Sequence, residues 1–113
     1  MNSRGKAAEA LAAEFLERSG LRILERNYRS RFGEIDLIAR DGRTVVFVEV
    51  RERKSAAYGG AAASITAAKQ SKLTRTALAY LGDTVPEPEC RFDAVLIDGS
   101  GKIEWLRGAF DAS

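Results

Sequence analysis

Histidine is absent from the sequence, and that gap removes Ser-His-Asp and Cys-His catalysis, histidine general bases and zinc sites built on imidazole. Hydrolytic chemistry would have to rest on carboxylates, lysines, hydroxyls and a hard, oxygen-bound cation such as Mg²⁺. Cysteine is nearly absent too. Cys90 stands alone, which leaves no internal disulfide and no thiol pair for zinc, so it reads as a small core residue. Long apolar runs are missing: no stretch approaches the roughly 20 residues that a membrane span needs. The opening Met1-Asn2-Ser3-Arg4-Gly5-Lys6 leads into an amphipathic helix and not a signal segment. These features predict a soluble, cytoplasmic protein with no membrane partner. A strong excess of one charge is lacking as well, since a net charge of +2 is too small by itself to indicate nucleic acid.

What is present fits one domain, 1–113, because 113 residues with 45% apolar content can bury a single modest core. Residues 4–19 repeat apolar positions at helical spacing, with Ala8, Leu11, Ala12, Phe15 and Leu16 on one stripe, Ser3 available as N-cap and Gly20 as the stop. Leu21 to Tyr28 reads as a short strand. Around it lie Arg18, Arg22, Arg26, Arg29 and Arg31 against the single acid Glu25, a local basic patch.

Residues 34–51 are the clearest element: two runs rich in β-branched residues flank Asp41-Gly42, the signal for a two-residue type I′ hairpin. Residues 52–63 are polar, then rich in glycine and alanine, and read as a loop. Ser64 is placed to cap a second helix running to about Leu81. Two more strands are expected at Arg91 to Asp98 and Lys102 to Arg107, on either side of Gly99-Ser100-Gly101. The expected order is helix, three strands, helix, two strands, an α/β fold with a central mixed sheet of four or five strands flanked by two helices.

With Asp41 and Gly42 as the turn, Arg40 pairs with Arg43, Asp36 faces Phe47 and Glu34 faces Glu49. Side chains alternate along a strand, so Glu34, Asp36, Phe47, Glu49 and Arg51 share one side of the sheet. Asp36 and Glu49 are then diagonal neighbours, about 7–8 Å apart at Cα, a separation from which two carboxylates can share a cation. Acids concentrated on one face are destabilising unless something positive neutralises them. A metal ion would do so. An exposed face balanced by Arg51 or Arg40 would do so equally.

The segments Gly33-Glu34-Ile35-Asp36 and Val48-Glu49-Val50-Arg51 resemble the bipartite signature of the PD-(D/E)xK, restriction-endonuclease-like nuclease superfamily. More closely, Gly33 to Ile38, Phe47 to Arg51, Lys69-Gln70 and Arg91-Phe92-Asp93 resemble the bacterial YraN-type family of small uncharacterised proteins, which is similar in fold to archaeal Holliday-junction resolvases. The likeness covers nearly the whole chain. It implies that Asp36 and Glu49 are ligands for Mg²⁺ or Mn²⁺, that Glu9 on the first helix is an accessory acid, and that Arg51 stands at the motif's lysine position. Helical spacing puts Glu9 beside Leu16 at the edge of the apolar arc, compatible with that role and equally with a half-exposed surface acid.

Arg51 departs from the motif. Arginine can supply charge but cannot act as a base, because its pKa lies above about 12. Lys54, just past the strand, and Lys69, on the second helix, are the lysines that could substitute. Lys69 sits between Ile65 and Leu73 on an apolar stripe completed by Thr76, Ala77 and Tyr80, so it needs an anionic partner or must snorkel outward. Arg91 and Asp93 read as a structural charge pair at the start of a core strand.

Arg22, Arg26, Arg29, Arg31 and Arg53, with Tyr28, Phe32 and Tyr58 interleaved and Lys54 alongside, could contact phosphates and stack bases, or could simply form a solvated face. The expected function is that of a metal-dependent endonuclease hydrolysing phosphodiester bonds in DNA, with branched or structured DNA as the implied substrate. A homodimer would suit a resolvase, which must cut two strands. Two alternatives stay open: a nucleic-acid-binding module without cleavage, favoured by Arg51, and a protein-interaction domain docking through 52–63.

Overall fold

A computed structural model describes residues 3–53, 65–82 and 86–110, with the side chains of 3–5 and 53 outside the description. Helix α1 (Ser3–Arg18) leads into strands β1 (Arg22–Ser30), β2 (Gly33–Asp41) and β3 (Thr44–Arg53). Helix α2 (Ala67–Leu81) and strands β4 (Glu89–Asp98) and β5 (Ile103–Phe110) follow. This is the order expected from the sequence, with β1 and β5 each running a few residues further. The strands form one five-stranded sheet in the order β1-β2-β3-β4-β5. Only β3 and β4 run parallel. A parallel pair needs a crossover, and the segment carrying α2 supplies it.

Alternation along the strands divides the core in two. On one face Leu37, Ala39, Val46, Val48, Val95 and Ile97 pack under Ala8, Ala12, Ala13 and Leu16 of α1. On the other, Ile38, Val45, Phe47, Phe92 and Ala94 pack against Leu73 and Ala77 of α2. The fold is thus mixed α/β, with the sheet between two helices. Among the described residues no helix is long and apolar enough to cross a membrane.

The structure corrects several local expectations. The hairpin closes on the pair Asp41–Thr44, so Gly42 and Arg43 form the turn in place of Asp41 and Gly42. Of these two, only Gly42 is left-handed (φ 61), which excludes the type I′ turn, where both central residues need positive φ. Asp41 is held in the strand by Arg91, whose Nη2 donates to its carboxylate at 3.2 Å. The shift is by two residues, so along the ladder from Leu37–Val48 to the turn no side chain changes face, but every cross-strand partner moves: Ile38 faces Phe47 and Leu37 faces Val48.

Leu11, placed on the buried stripe of α1, is 46% exposed, and Ala13 is buried instead. Cys90 is exposed and not a core residue. It lies in the first, exposed residues of β4, ahead of the run that the helices cover. The cap of α2 is Thr66, whose hydroxyl accepts from the Lys69 amide at 3.2 Å. The loop expected over 52–63 does not begin at 52, because Glu52 and Arg53 continue β3 beside β4; its remainder from residue 54, and Ser64, the expected cap, lie outside the described residues.

Candidate active site

Asp36 occupies a break in the sheet. The β2–β3 ladder ends at Leu37–Val48, and beyond it β2 stays with β1 through Ile35–Tyr28 and Glu34–Arg29. Strand β3 stays with β4 through Glu49–Ala94 and Val50–Val95. Continuing the hairpin register by one residue would set Asp36 opposite Glu49. There the strands part, and the Val50 amide donates to Asp36 Oδ2 at 2.8 Å in place of a backbone carbonyl.

Alternation breaks at the same point. Ile35 joins Ile38 in the α2-side core, whereas Leu37 and Ala39 lie on the α1 side. On β1 the register runs unshifted from Arg26–Leu37 to Tyr28–Ile35, with Asn27 at the position between them that answers to Asp36, and the irregularity of this strand pair lies further back, between Ile23 and Glu25. Asn27 has φ 54 and is the one non-glycine residue with positive φ among those described. Asparagine tolerates that conformation better than most residues because its short polar side chain can bond locally. The kink lets Asp36 meet groups from both layers of the fold.

From α1 comes Glu9. Carboxylate oxygens of Glu9, Glu34 and Asp36 lie within 4.8 Å of one another. From α2 comes Lys69, whose Nζ is 3.0 Å from Glu49 Oε1. Glu49 is 6% exposed, and a buried carboxylate is costly unless paired. Arg51 adds a second cation, with Nε 3.4 Å from the same oxygen. That Nε is buried and finds no hydrogen-bond acceptor among the described residues. Glu34, Asp36, Glu49, Lys69 and Lys72, with Gly33, line a cavity of about 420 Å³.

The carboxylates act on one another. Burial pushes the Asp36 carboxyl up from its ordinary 3.8 to about 7, the negative charge of Glu49 adds to this, and Glu9 and Glu34 add further, against the opposing pull of the Val50 amide. Among the described residues the one cation paired with this cluster is Arg29, on Glu34 and mostly exposed, while Lys69 and Arg51 both face Glu49. The carboxylate oxygens of the cluster form the hard donor set that Mg²⁺ and Mn²⁺ favour. The residues present fit such an ion.

Of the residues singled out from the sequence, the structure gathers Glu9, Asp36, Glu49, Arg51 and Lys69 at this one locus. The carboxylate grouping differs from the expected pair. Asp36 clusters with Glu9 and Glu34, while Glu49 turns to Lys69 and Arg51. Glu34 was read only as a neighbour on the acidic face, and Lys72 was not singled out at all. Both carried a signal, Glu34 in its place two residues before Asp36 and Lys72 in its helical spacing from Lys69. Arg29 binds Glu34 at 3.1 Å, and Arg31 lies over the Phe32 ring, 4.9 Å from its centroid. Arg53's side chain and Lys54 lie outside the described residues. Arg91 and Asp93 form the structural pair expected of them, at 2.8 Å and away from the cavity lining.

A protein of Nitrosomonas europaea named as a UPF0102 protein is 60% identical over 113 residues, covering 98% of this chain and 96% of its own. One from Dechloromonas aromatica is 54% identical over 97% of this chain and 90% of its own. The UPF0102 protein YraN of Salmonella newport is 53% identical over 95% of this chain and 83% of its own. The model of the uncharacterised protein family UPF0102 matches residues 8–97, a span that holds Glu9, Glu34, Asp36, Glu49 and Lys69. With α2, most of α1 and of the sheet, and every side chain of the cavity inside that match, the chain belongs to the UPF0102 family.

Proposed function

We propose that the chain is a divalent-metal-dependent nuclease on a restriction-endonuclease-like frame, hydrolysing phosphodiester bonds in DNA, with branched or structured DNA as its substrate. The observation that carries this reading is the meeting, at a break in the sheet, of the Glu9–Glu34–Asp36 carboxylates with a lysine held on buried Glu49. Asp36, with Glu34 and Glu9, would hold Mg²⁺ or Mn²⁺, with Glu49 as a further acid of the cavity. A cation there supplies Lewis-acid polarisation of a phosphate oxygen and lowers the pKa of a coordinated water.

The chain's own groups do the rest. Lys69 replaces the lysine that the strand motif lacks: its ammonium, 3.0 Å from Glu49, can offset charge building on phosphorus. Arg51 adds fixed charge and holds Glu49, but it cannot take a proton. Burial of the site lowers the local dielectric, which strengthens each of these interactions.

A second reading rests on Arg51 as well: both cations bind Glu49, so the site could grip a phosphate without cutting. Incubating plasmid and branched oligonucleotide DNA with Mn²⁺ separates the two. Cleavage by the wild type, lowered about a hundredfold or more in Asp36→Asn and Lys69→Met, supports the nuclease. Retention of DNA on a gel with no cleavage at any Mn²⁺ concentration supports the binding module.

A further inference from the structure

We propose that the cavity accepts an unpaired nucleic-acid strand in preference to a duplex, with Arg31 and Phe32 of the β1–β2 turn forming the lip on which a base stacks. The inference rests on the nuclease reading and extends it by naming the strand state of the substrate.

The acids Glu9, Glu34 and Asp36 are half-buried. Glu49 is buried, and the cavity of about 420 Å³ falls among sites that enclose one small ligand, about 300–1,000 Å³. A duplex carries its phosphates on a stiff convex surface, whereas a flexible strand can turn one phosphate inward. Enzymes with recessed chemistry accordingly act on single strands or extrude the nucleotide.

The lip is fixed in place before any ligand arrives. Ser30 Oγ donates to Thr76 Oγ1 of α2 at 3.4 Å and accepts from the Phe32 amide at 3.0 Å. Gly33 follows with φ +152, so near α2 that an added Cβ would stand 3.5 Å from Thr76 Oγ1 and 3.8 Å from Lys72 Cβ. These contacts anchor the turn that carries Arg31 and Phe32, and the next residue along it, Gly33, is part of the cavity wall. Arg29 is occupied by Glu34 at 3.1 Å. Arg31 is exposed, makes no ion pair among the described residues and covers the Phe32 ring. A planar cation on an aromatic ring is a platform that a base can extend, as in single-strand-binding proteins. Lys72, exposed at the same wall, is placed for the adjoining phosphate.

Fluorescence anisotropy with a labelled oligothymidine and a duplex of equal length, at low salt with Ca²⁺ in place of Mn²⁺, tests this. The wild type should bind the single strand about tenfold more tightly. Arg31→Ala and Phe32→Ala should each cost about five- to tenfold in single-strand affinity and leave duplex affinity unchanged, while Phe32→Trp retains it. Equal or tighter duplex binding overturns the inference, as does unchanged single-strand affinity in both alanine variants. A parallel Mn²⁺ cleavage assay separates the two claims. Preferential cutting of duplex sinks the strand preference and leaves the nuclease standing. Single-strand preference without cutting does the reverse, and no binding of either ligand sinks both.

Discussion

Asp36 carries the account, and its protonation makes the first prediction. Its carboxyl is raised to about 7 in the folded chain from an ordinary 3.8. Between those values the folded state binds more protons than the unfolded one, so stability falls as pH rises from about 4 through about 7. Without metal, the wild type should therefore lose ground to Asp36→Asn between pH 5 and pH 8 in urea unfolding. An equal stability difference at both pH values would show that Asp36 is an ordinary surface acid. Asn27 acts on the same carboxylate through the backbone. A β-branched residue resists its positive φ, whereas glycine accepts it freely. Asn27→Val should speed hydrogen exchange at the Val50 amide, which donates to Asp36, and Asn27→Gly should leave that amide protected. Identical exchange in both variants would mean that the kink at Asn27 does not place the acid.

The pairing of β4 with β5 depends on a different acid. Asp93 is 1% exposed and accepts from Arg91 (2.8 and 3.0 Å), Trp105 Nε1 (2.9 Å) and the Gly108 amide (3.0 Å). The last two donors lie on β5, where the register shifts between Phe92 and Ala94. Removing this carboxylate leaves the Trp105 and Gly108 donors without their acceptor and half-buried Arg91 with Asp41 alone, a loss of about 2–4 kcal/mol. Chemical unfolding of Asp93→Ala should show that loss, while Asp93 plays no part in the cavity. A loss below about 1 kcal/mol would remove its structural role.

Much of this arrangement was legible in the sequence. Period-2 alternation in β2 and β3 and period-3.6 spacing in both helices fixed the element order and the faces, because the core's demand for apolar contact writes those patterns directly. The hairpin register was not legible. Asp41-Gly42 and Gly42-Arg43 both make two-residue turns, and the choice rests on Arg91, 50 positions away. Cys90 was misplaced for a related reason: a strand's first residues carry the same propensities whether or not a helix covers them. The kink at Asp36 was invisible because the conformation of Asn27 arises from pairing between strands.

The helices lie on opposite faces of the sheet, yet the candidate site draws Glu9 from one and Lys69 from the other. Only the parting of β2 and β3 permits this, because an intact ladder would keep the two layers separate. A cation bound there would link both layers, and a ligand bound only by the folded state at a hundred times its Kd adds about 2.7 kcal/mol of stability. Mn²⁺ should therefore raise the wild-type melting temperature by several degrees and leave that of Asp36→Asn unmoved.

Isothermal titration of Mn²⁺ into both proteins at pH 8 addresses the cation directly. The account predicts one site per chain in the wild type, with binding abolished in Asp36→Asn and weakened in Glu34→Gln. Equal binding by the wild type and Asp36→Asn, or none by the wild type, would contradict it.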